Sequence, residues 1–240
     1  MNTNSNIWFF EEVKLTEWFC PTNHAQENYD REPKRSFKKG EFIYFSDDTA
    51  DKVFFIHMGA VKIATYTDDG NELIKAVLSP GEIFGEMAVY GEYKRSDYAQ
   101  AVEDSAICIL TREQAIMLMR DLNDFQVFMF RLIGERMIFT QKRLENLLFK
   151  DARTRVIGYI LEQSRKSSRR LADGSLSVRN YLTHQEIASY TGTSRQTVTT
   201  LLNEFRDKGW INFDRKRFHI RDEKALIREM MPMPPATASK

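Results

Sequence analysis

Two groups of polar residues have the types and spacing needed to bind phosphates or bases. The first group lies at the starts of two predicted helices and on the outward side of the second. Its members are Thr183, Ser194, Arg195, Gln196, Thr199, Thr200 and Asn203. In the major groove of DNA, arginine pairs best with guanine and glutamine with adenine. Hydroxyl groups and the N–H groups of a helix N-terminus suit phosphates. The first group is therefore predicted to contact DNA.

The second group is Gly85-Glu86 followed by Arg95-Ser96. A glycine before a short helical turn offers main-chain N–H groups to a phosphate, and Glu86 could accept a hydrogen bond from a sugar hydroxyl. Arg95 and the Ser96 hydroxyl could hold the phosphate oxygens. Taken alone, the pattern favours a β-turn beside an exposed ion pair, so the surrounding elements have to decide between the two interpretations.

The first group requires two helices that cross near a right angle. Such a pair needs a small residue at the crossing, a left-handed residue in the turn and aliphatic residues on the inner face of the second helix. These demands are met by Ala188, Gly192, Val198 and Leu201, at offsets 0, 4, 10 and 13. Thr183 and Glu186 form a capping box, and Ser194 caps the second helix. The sequence therefore predicts a helix-turn-helix, the alternative being two core helices that do not bind DNA.

A small hairpin with a basic tip is predicted after this motif. Trp210–Phe213 and Phe218–Ile220 would form its strands and Asp214-Arg215-Lys216-Arg217 its tip. A hairpin in this position is a wing able to touch the DNA backbone. Asp151 is a good N-cap for the helix that opens the same domain.

The second group lies in a region of short predicted strands with turn residues every 8 to 12 positions. Glycine and asparagine in these turns supply the positive φ that tight hairpins need. The predicted strands are Phe42–Phe45, Val53–His57, Ala60–Thr67, Glu72–Leu78, Asp97–Ala101 and Ser105–Leu110. This pattern indicates a sandwich or jelly roll.

A long helix over residues 123–149 is predicted to join the two regions and to form a dimer. Six residues repeat at spacings 3, 4, 3, 4, 3, as in the seam of a two-stranded coiled coil: Phe130, Ile133, Met137, Thr140, Leu144 and Leu147. A second apolar stripe, which includes Met129 and Leu132, would cover the helix's own domain. The alternative is an ordinary buried helix.

Composition fits a globular chain of one or two domains, with 240 residues, 42% hydrophobic and 29% charged. Residues 1–150 hold 18 basic against 24 acidic residues, whereas residues 151–240 hold 17 against 10. A basic C-terminal part is typical of a nucleic-acid-binding domain joined to something else. No apolar run approaches the ~18 residues of a membrane span, and no secretory signal is visible. Two cysteines 88 residues apart suggest thiols in a reducing cytoplasm.

The expected fold class is α+β. Residues 1–122 would be an effector-sensing jelly roll with an N-terminal helical cap, and residues 123–150 the dimerisation helix and hinge. Residues 151–230 would be a winged helix-turn-helix, and residues 231–240, rich in proline, alanine and serine, a disordered tail.

This order of elements resembles the CRP/FNR family of bacterial transcription regulators. The resemblance is strongest in Met58–Val61, in Gly81–Tyr90, in Thr140 with Asn146-Leu147, Phe149 and Asp151, and in Thr183–Val198. It implies a homodimer that binds a two-fold symmetric DNA site, with RNA polymerase as a further partner. It also implies a small-molecule effector held by Gly85, Glu86, Arg95, Ser96, Thr140 and Gln141.

Several residues depart from the cyclic-AMP-binding members of that family. Asp97 stands where they have alanine, on the strand face of Arg95, and would repel a phosphate or pair with Arg95. Gln141 stands where the receptor protein has serine, and Thr200 where an arginine is usual. Gln196 often corresponds to glutamate, which prefers cytosine. A cyclic nucleotide is therefore doubtful as the effector, and the effector stays unidentified.

Other functions are also compatible with such a fold. A cupin-like enzyme needs clustered metal ligands, but His24, His57, His184 and His219 are isolated, so neither an enzyme nor a metal site is expected. A helix-turn-helix that docks only proteins is a further class, which salt-dependent DNA binding would exclude. Within the family, a haem or gas sensor with His57 or Met58 as an axial ligand stays open, as does a regulator that needs no effector.

Overall fold

The computed structural model describes residues 18–19 and 34–230. Most of the expected helical cap, and the whole expected tail 231–240, lie outside the described residues. The chain divides into two compact units, with the boundary between Phe139 and Thr140. The first unit therefore ends inside the long helix, which the sequence predicts as a segment between two domains.

Eight short strands build the first unit. They are β1 (Arg35–Phe37), β2 (Phe42–Tyr44), β3 (Lys52–Met58), β4 (Val61–Tyr66), β5 (Glu72–Leu78), β6 (Ile83–Phe84), β7 (Tyr98–Ala101) and β8 (Ser105–Thr111). One antiparallel sheet has the order β1-β8-β3-β6 and the other β2-β7-β4-β5. Their inner faces enclose one core, to which Ile56, Val61, Leu78 and Ile107 contribute. All six predicted strands are present within two residues at each end, and the jelly-roll prediction is confirmed.

Helices cover the outer face of the first sheet. Helix α1 (Arg112–Asp121) begins at a capping box of Thr111 and Gln114, and α2 follows over Asn123–Phe149. Phe125, Met129 and Leu132 of α2 are buried in a second core with Trp18 and Cys108. The second apolar stripe thus covers its own unit, as predicted. Cys108 is in a disulfide, so the expectation of a thiol there is wrong; Cys20 lies outside the described residues.

The second unit, from Thr140 onward, contains the end of α2 and a winged helical domain. Its elements are α3 (Ala152–Ser167), β9 (Ser168–Arg170), β10 (Leu176–Arg179), α4 (His184–Thr191), α5 (Arg195–Asp207), β11 (Ile211–Phe213), β12 (Arg217–Ile220) and α6 (Glu223–Glu229). The sheet order is β11-β12-β10-β9. Asp151 caps α3 by accepting a hydrogen bond from Thr154 N at 2.7 Å. After α3, β9 pairs antiparallel with β10 across the turn 171–175.

Candidate nucleic-acid interface and small-molecule site

Helices α4 and α5 form the predicted helix-turn-helix, and each begins at its predicted cap. Thr183 accepts a hydrogen bond from Glu186 N while the Glu186 carboxylate accepts one from Thr183 N. Ser194 accepts a hydrogen bond from Thr197 N at 3.0 Å. Gly192 ends α4 in the left-handed region, at φ 63°, which costs a glycine little. The caps and the turn therefore fix where the second helix starts and which way its first turn faces.

The two sides of α5 differ as the sequence predicts. Val198, Leu201, Leu202 and Phe205 are buried against the domain. The opposite side carries the predicted contacts: Arg195, Gln196 and Thr200 are exposed, and Thr199 and Asn203 are half-buried. An exposed arginine and glutamine on the first turn of such a helix can reach base edges, and the helix N-terminus favours an anion. The arrangement suits direct recognition of the major groove.

His184, at the start of α4, contacts the same surface and was missed by the sequence analysis. Its Nδ1 lies 3.0 Å from the Thr199 hydroxyl, and that hydroxyl donates to the main-chain oxygen of Arg195. Burial and the charge of Arg195 lower the pKa of His184. The only sequence signal was its place next to the N-cap Thr183, where a side chain lies near the helix N-terminus.

The wing is present, and its tip is held by one carboxylate. Asp214 Oδ1 accepts hydrogen bonds from the main-chain N–H groups of Lys216 at 2.7 Å and Arg217 at 2.9 Å. These bonds to its charged form lower the pKa of Asp214. Arg215, Lys216 and Arg217 are exposed. The tip therefore presents positive charge with its main chain already ordered.

In the first unit, the Gly85-Glu86 turn has the geometry that the sequence predicts. Gly85 is left-handed at φ 74° and precedes a short 3₁₀ turn, Glu86–Ala88. A Cβ on Gly85 would lie 3.0 Å from the Lys52 main-chain oxygen and 3.1 Å from Arg95 Nη1. Glycine is thus required both by the backbone and by the closeness of Arg95.

Arg95 is buried inside the unit, and its guanidinium already has partners. Nη1 donates to Gly85 O at 3.0 Å, and Nη2 donates to Lys52 O. The guanidinium carbon lies 4.6 Å from the centroid of the Tyr44 ring, a cation–π distance. Within the described part of the chain, its Nε is buried without a hydrogen-bond partner. To bind a phosphate with Nη1 or Nη2, Arg95 would have to reorganise contacts that the protein already makes.

Asp97 does not pair with Arg95, so the predicted pairing of these two side chains is wrong. Its carboxylate forms an ion pair with Lys75 Nζ at 3.0 Å and accepts a hydrogen bond from the Tyr44 hydroxyl at 3.1 Å. Burial and the charge of Asp97 raise the pKa of Tyr44 well above its usual value. Lys75 comes from β5, 22 residues earlier in the chain. Ser96, between Arg95 and Asp97, is exposed.

Arg136 of α2 reaches the Gly85-Glu86 turn and was not predicted. Its Nη2 donates to Ile83 O, and its Nε lies 3.8 Å from Glu86 Oε1. The Tyr90 hydroxyl is buried without a hydrogen-bond partner among the residues that the structure describes, and burial and the charge of Glu86 raise the pKa of Tyr90. Arg136 lies four residues before Thr140, and this helical spacing was the signal that could have found it.

The other residues predicted to bind an effector or a haem are exposed. Thr140 and Gln141 are exposed and belong to the second unit, so their contact with an effector stays a prediction. His57 and Met58 are exposed at the end of β3. Among residues 18–19 and 34–230, no group of three histidine, cysteine or acidic side chains could hold a metal ion. No helix in the described part of the chain is long and apolar enough to cross a membrane.

Known proteins resemble this chain in both units. A family model for the cyclic nucleotide-binding domain matches residues 34–121, and one for the Crp-like helix-turn-helix domain matches residues 154–229. The cyclic AMP receptor protein of Thermus thermophilus is 30% identical over 197 residues, which cover 82% of this chain and 87% of the relative. The chain belongs to the CRP/FNR family. Transcription regulators of this family include the global nitrogen regulator of Nostoc sp., 28% identical over 196 residues that cover 81% of this chain and 87% of the relative.

A solved structure agrees with the CRP/FNR fold. FixK2 from Bradyrhizobium japonicum superposes with a TM-score of 0.74, covers 84% of this chain and 98% of its own, and is 21% identical. The matched relatives are transcription regulators, which confirms the expectation of a regulator over that of an enzyme. They are named for cyclic AMP in one case and for nitrogen in another, so family membership does not choose the effector.

Proposed function

We propose that this CRP/FNR regulator acts as a homodimer that recognises a two-fold symmetric DNA site through Arg195 and Gln196. The observation that carries the proposal is the polar face at the capped start of α5, exposed while the opposite face is buried. Arg195 would donate to a guanine and Gln196 would pair with an adenine. The N-cap hydroxyls, the helix N-termini and the wing tip would hold phosphates. DNA and RNA polymerase would be its partners, in the cytoplasm.

The dimer proposal is supported by the exposure of the predicted seam along α2. Phe130 and Met137 are each 61% exposed, and Leu144 is 56% exposed. Ile133 is half-buried, and Thr140 and Leu147 are exposed. Exposed apolar residues at heptad spacing are costly in water unless a second helix covers them. A copy of the same helix would cover all of them by symmetry.

Two forms of control follow from the first unit. In one, an effector binds beside Glu86, Arg95 and Arg136 and alters the dimer. In the other, no effector is needed. Contacts that Arg95 and Asp97 make within the protein favour this second form. Arg95 already donates to Gly85 and Lys52, and Asp97 is paired with Lys75. The arginine that would hold the phosphate of a cyclic nucleotide is thus engaged within the protein.

The test is a DNA-binding measurement on Arg195→Ala with binding sites selected from random duplexes. The variant should lose about 1–3 kcal/mol at one base pair in each half-site, because a bidentate contact is lost. Arg206→Ala is the matched control, since Arg206 is an exposed arginine near the other end of α5 and should leave base preference unchanged. Selected sites without two-fold symmetry, or unchanged affinity in Arg195→Ala, would contradict the proposal.

A further inference from the structure

Helix α4 ends without a basic residue of its own in the last turn. The last carbonyl groups of a helix have no partner within it, and cations near that end are stabilising. Two arginines from other helices donate hydrogen bonds to carbonyl groups at this end. Arg155 of α3 donates to Thr191 O at 2.7 Å and to Gly192 O at 3.0 Å. Arg143 of α2 donates to Tyr190 O at 2.8 Å.

Arg143 also packs on the side chain of the residue whose carbonyl it binds. Its guanidinium carbon lies 4.4 Å from the centroid of the Tyr190 ring. The Tyr190 hydroxyl donates to Glu162 of α3 at 2.8 Å. A planar guanidinium that both stacks and donates fixes a direction as well as a distance, which a lysine ammonium does less well. Arg143 thus ties the last turns of α2 to the first helix of the helix-turn-helix.

Tyr190 is also connected to the wing, through Tyr159 and Asn180. The Tyr159 ring lies 5.3 Å from that of Tyr190, and the Tyr159 hydroxyl donates to Asn180 Oδ1 at 3.0 Å. Asn180 N donates to Lys216 O at the wing tip, at 2.8 Å. Buried aromatic rings and satisfied hydrogen bonds of this kind are rigid. A displacement of Tyr190 relative to α2 would therefore be passed to the elements proposed to touch DNA.

We propose that Arg143 is a positioning residue that sets the spacing between the two half-sites. The inference rests on the proposed dimer and its DNA site. Helix α2 would carry the dimer axis, and Arg143 fixes α4 against the end of that helix. In each protomer this contact would set the angle between α2 and the helix-turn-helix that contains α5. The same angle would be repeated in both copies. Two linked binding modules gain affinity only where their geometry lets both engage.

The experiment compares Arg143→Ala with wild type on duplexes that carry either one half-site or two. The paired duplexes are made with the preferred spacer and with one base pair added or removed. Arg143→Ala should bind the single half-site within about twofold of wild type, but should lose about tenfold on the preferred paired site. Its discrimination between spacers should fall to about threefold or less, because the second module no longer has a fixed position.

Three controls make the result specific. Lys142→Ala removes the neighbouring exposed charge and should keep the spacer preference of wild type. Arg143→Lys can still donate to Tyr190 O and should recover part of that preference. Light scattering and thermal unfolding should show that each variant remains folded and dimeric. If Arg143→Ala does not fold, the comparison with Arg143→Lys decides.

Two outcomes would overturn the inference. In the first, Arg143→Ala has the same spacer preference as wild type, or Arg143→Lys does so where Arg143→Ala does not fold. In the second, single and paired sites lose affinity by the same factor, which would make Arg143 a general structural or phosphate contact. A wild-type protein that binds single and paired half-sites alike would instead refute the proposed dimeric function, and this inference with it.

Discussion

Arg95 and Asp97 stand two residues apart, yet their side chains enter different hydrogen-bond networks. Arg95 is held by the main-chain oxygens of Gly85 and Lys52, and Asp97 by Lys75 and Tyr44. Strand alternation predicts that they share a face, but Asp97 immediately precedes β7, where alternation no longer fixes the direction. The partner Lys75 is distant in sequence, so no local pattern could reveal it.

We expect cyclic AMP to bind wild type weakly or not at all, and Asp97→Ala to bind it about tenfold more tightly. Two negative groups ~4 Å apart cost about 4 kcal/mol at an effective dielectric near 20. The substitution removes one of them and frees Lys75 to attract the phosphate. Calorimetric titration of cyclic AMP and cyclic GMP is the measurement. Asp69→Ala, which removes an exposed acid from the β4–β5 turn, should change nothing. Tight binding by wild type that Asp97→Ala leaves unaltered would return the protein to the cyclic-nucleotide subgroup.

Glu204 of α5 should give the second unit a pH-dependent stability. Hydrogen bonds from Arg153 and Lys208 lower the pKa of Glu204 to about 2, from a usual value of 4.5. A lowered pKa means that the contribution is fully present above pH 4.5 and is lost as the pH falls toward 2. Glu204→Gln should therefore cost about 1 kcal/mol at pH 7 and much less at pH 3. Thermal unfolding at both pH values measures this. A difference that is equal at the two pH values would show that the charge is not responsible.

At the scale of elements, those that depend on near neighbours were predictable. Thr183, Ser194 and Asp151 cap their helices as expected, because a cap involves residues only three apart. Strands β1 and β6 were missed, since three and two residues are too few to show alternation. Arg136 contacts a turn 50 residues earlier in the chain, and its helical spacing to Thr140 was the one sequence signal that could have pointed to it. Helix caps formed by neighbouring residues could be predicted from the sequence, whereas contacts set by the packing of distant segments could not.

Gly192→Ala should weaken the turn of the helix-turn-helix. An alanine at φ 63° is strained by roughly 1–2 kcal/mol, and its Cβ would lie 2.7 Å from Leu147 Cδ2. Gly209→Ala is the matched control, because φ is 72° there and, its chain neighbours aside, no atom of the described residues lies within 4 Å of a Cβ. Chemical denaturation should show a larger loss for Gly192→Ala than for Gly209→Ala. If the losses are equal, Leu147 moves aside without cost.

At the scale of the whole molecule, Leu144→Glu should convert the protein to a monomer. In the proposed dimer it would bury a charge without a partner against its symmetry mate, which costs on the order of 3–5 kcal/mol. Asn146→Glu places the same charge two residues further along the helix, off the seam, and should leave a dimer. Light scattering gives the mass of each. A Leu144→Glu variant with dimer mass would mean that the seam is misassigned.

The position of the unit boundary inside α2 has a consequence for recombination between relatives. A chimera joined after Phe149, where α2 ends, would take the helix-turn-helix from one parent and Arg143 from the other. Its two parts would be correctly folded but would meet through a mismatched contact at Tyr190. A chimera joined between Phe139 and Thr140 would transfer Arg143, Leu147 and their partners as one inherited block. A junction between Phe139 and Thr140, within α2, should therefore give a better-matched chimera than one in the loop that follows this helix.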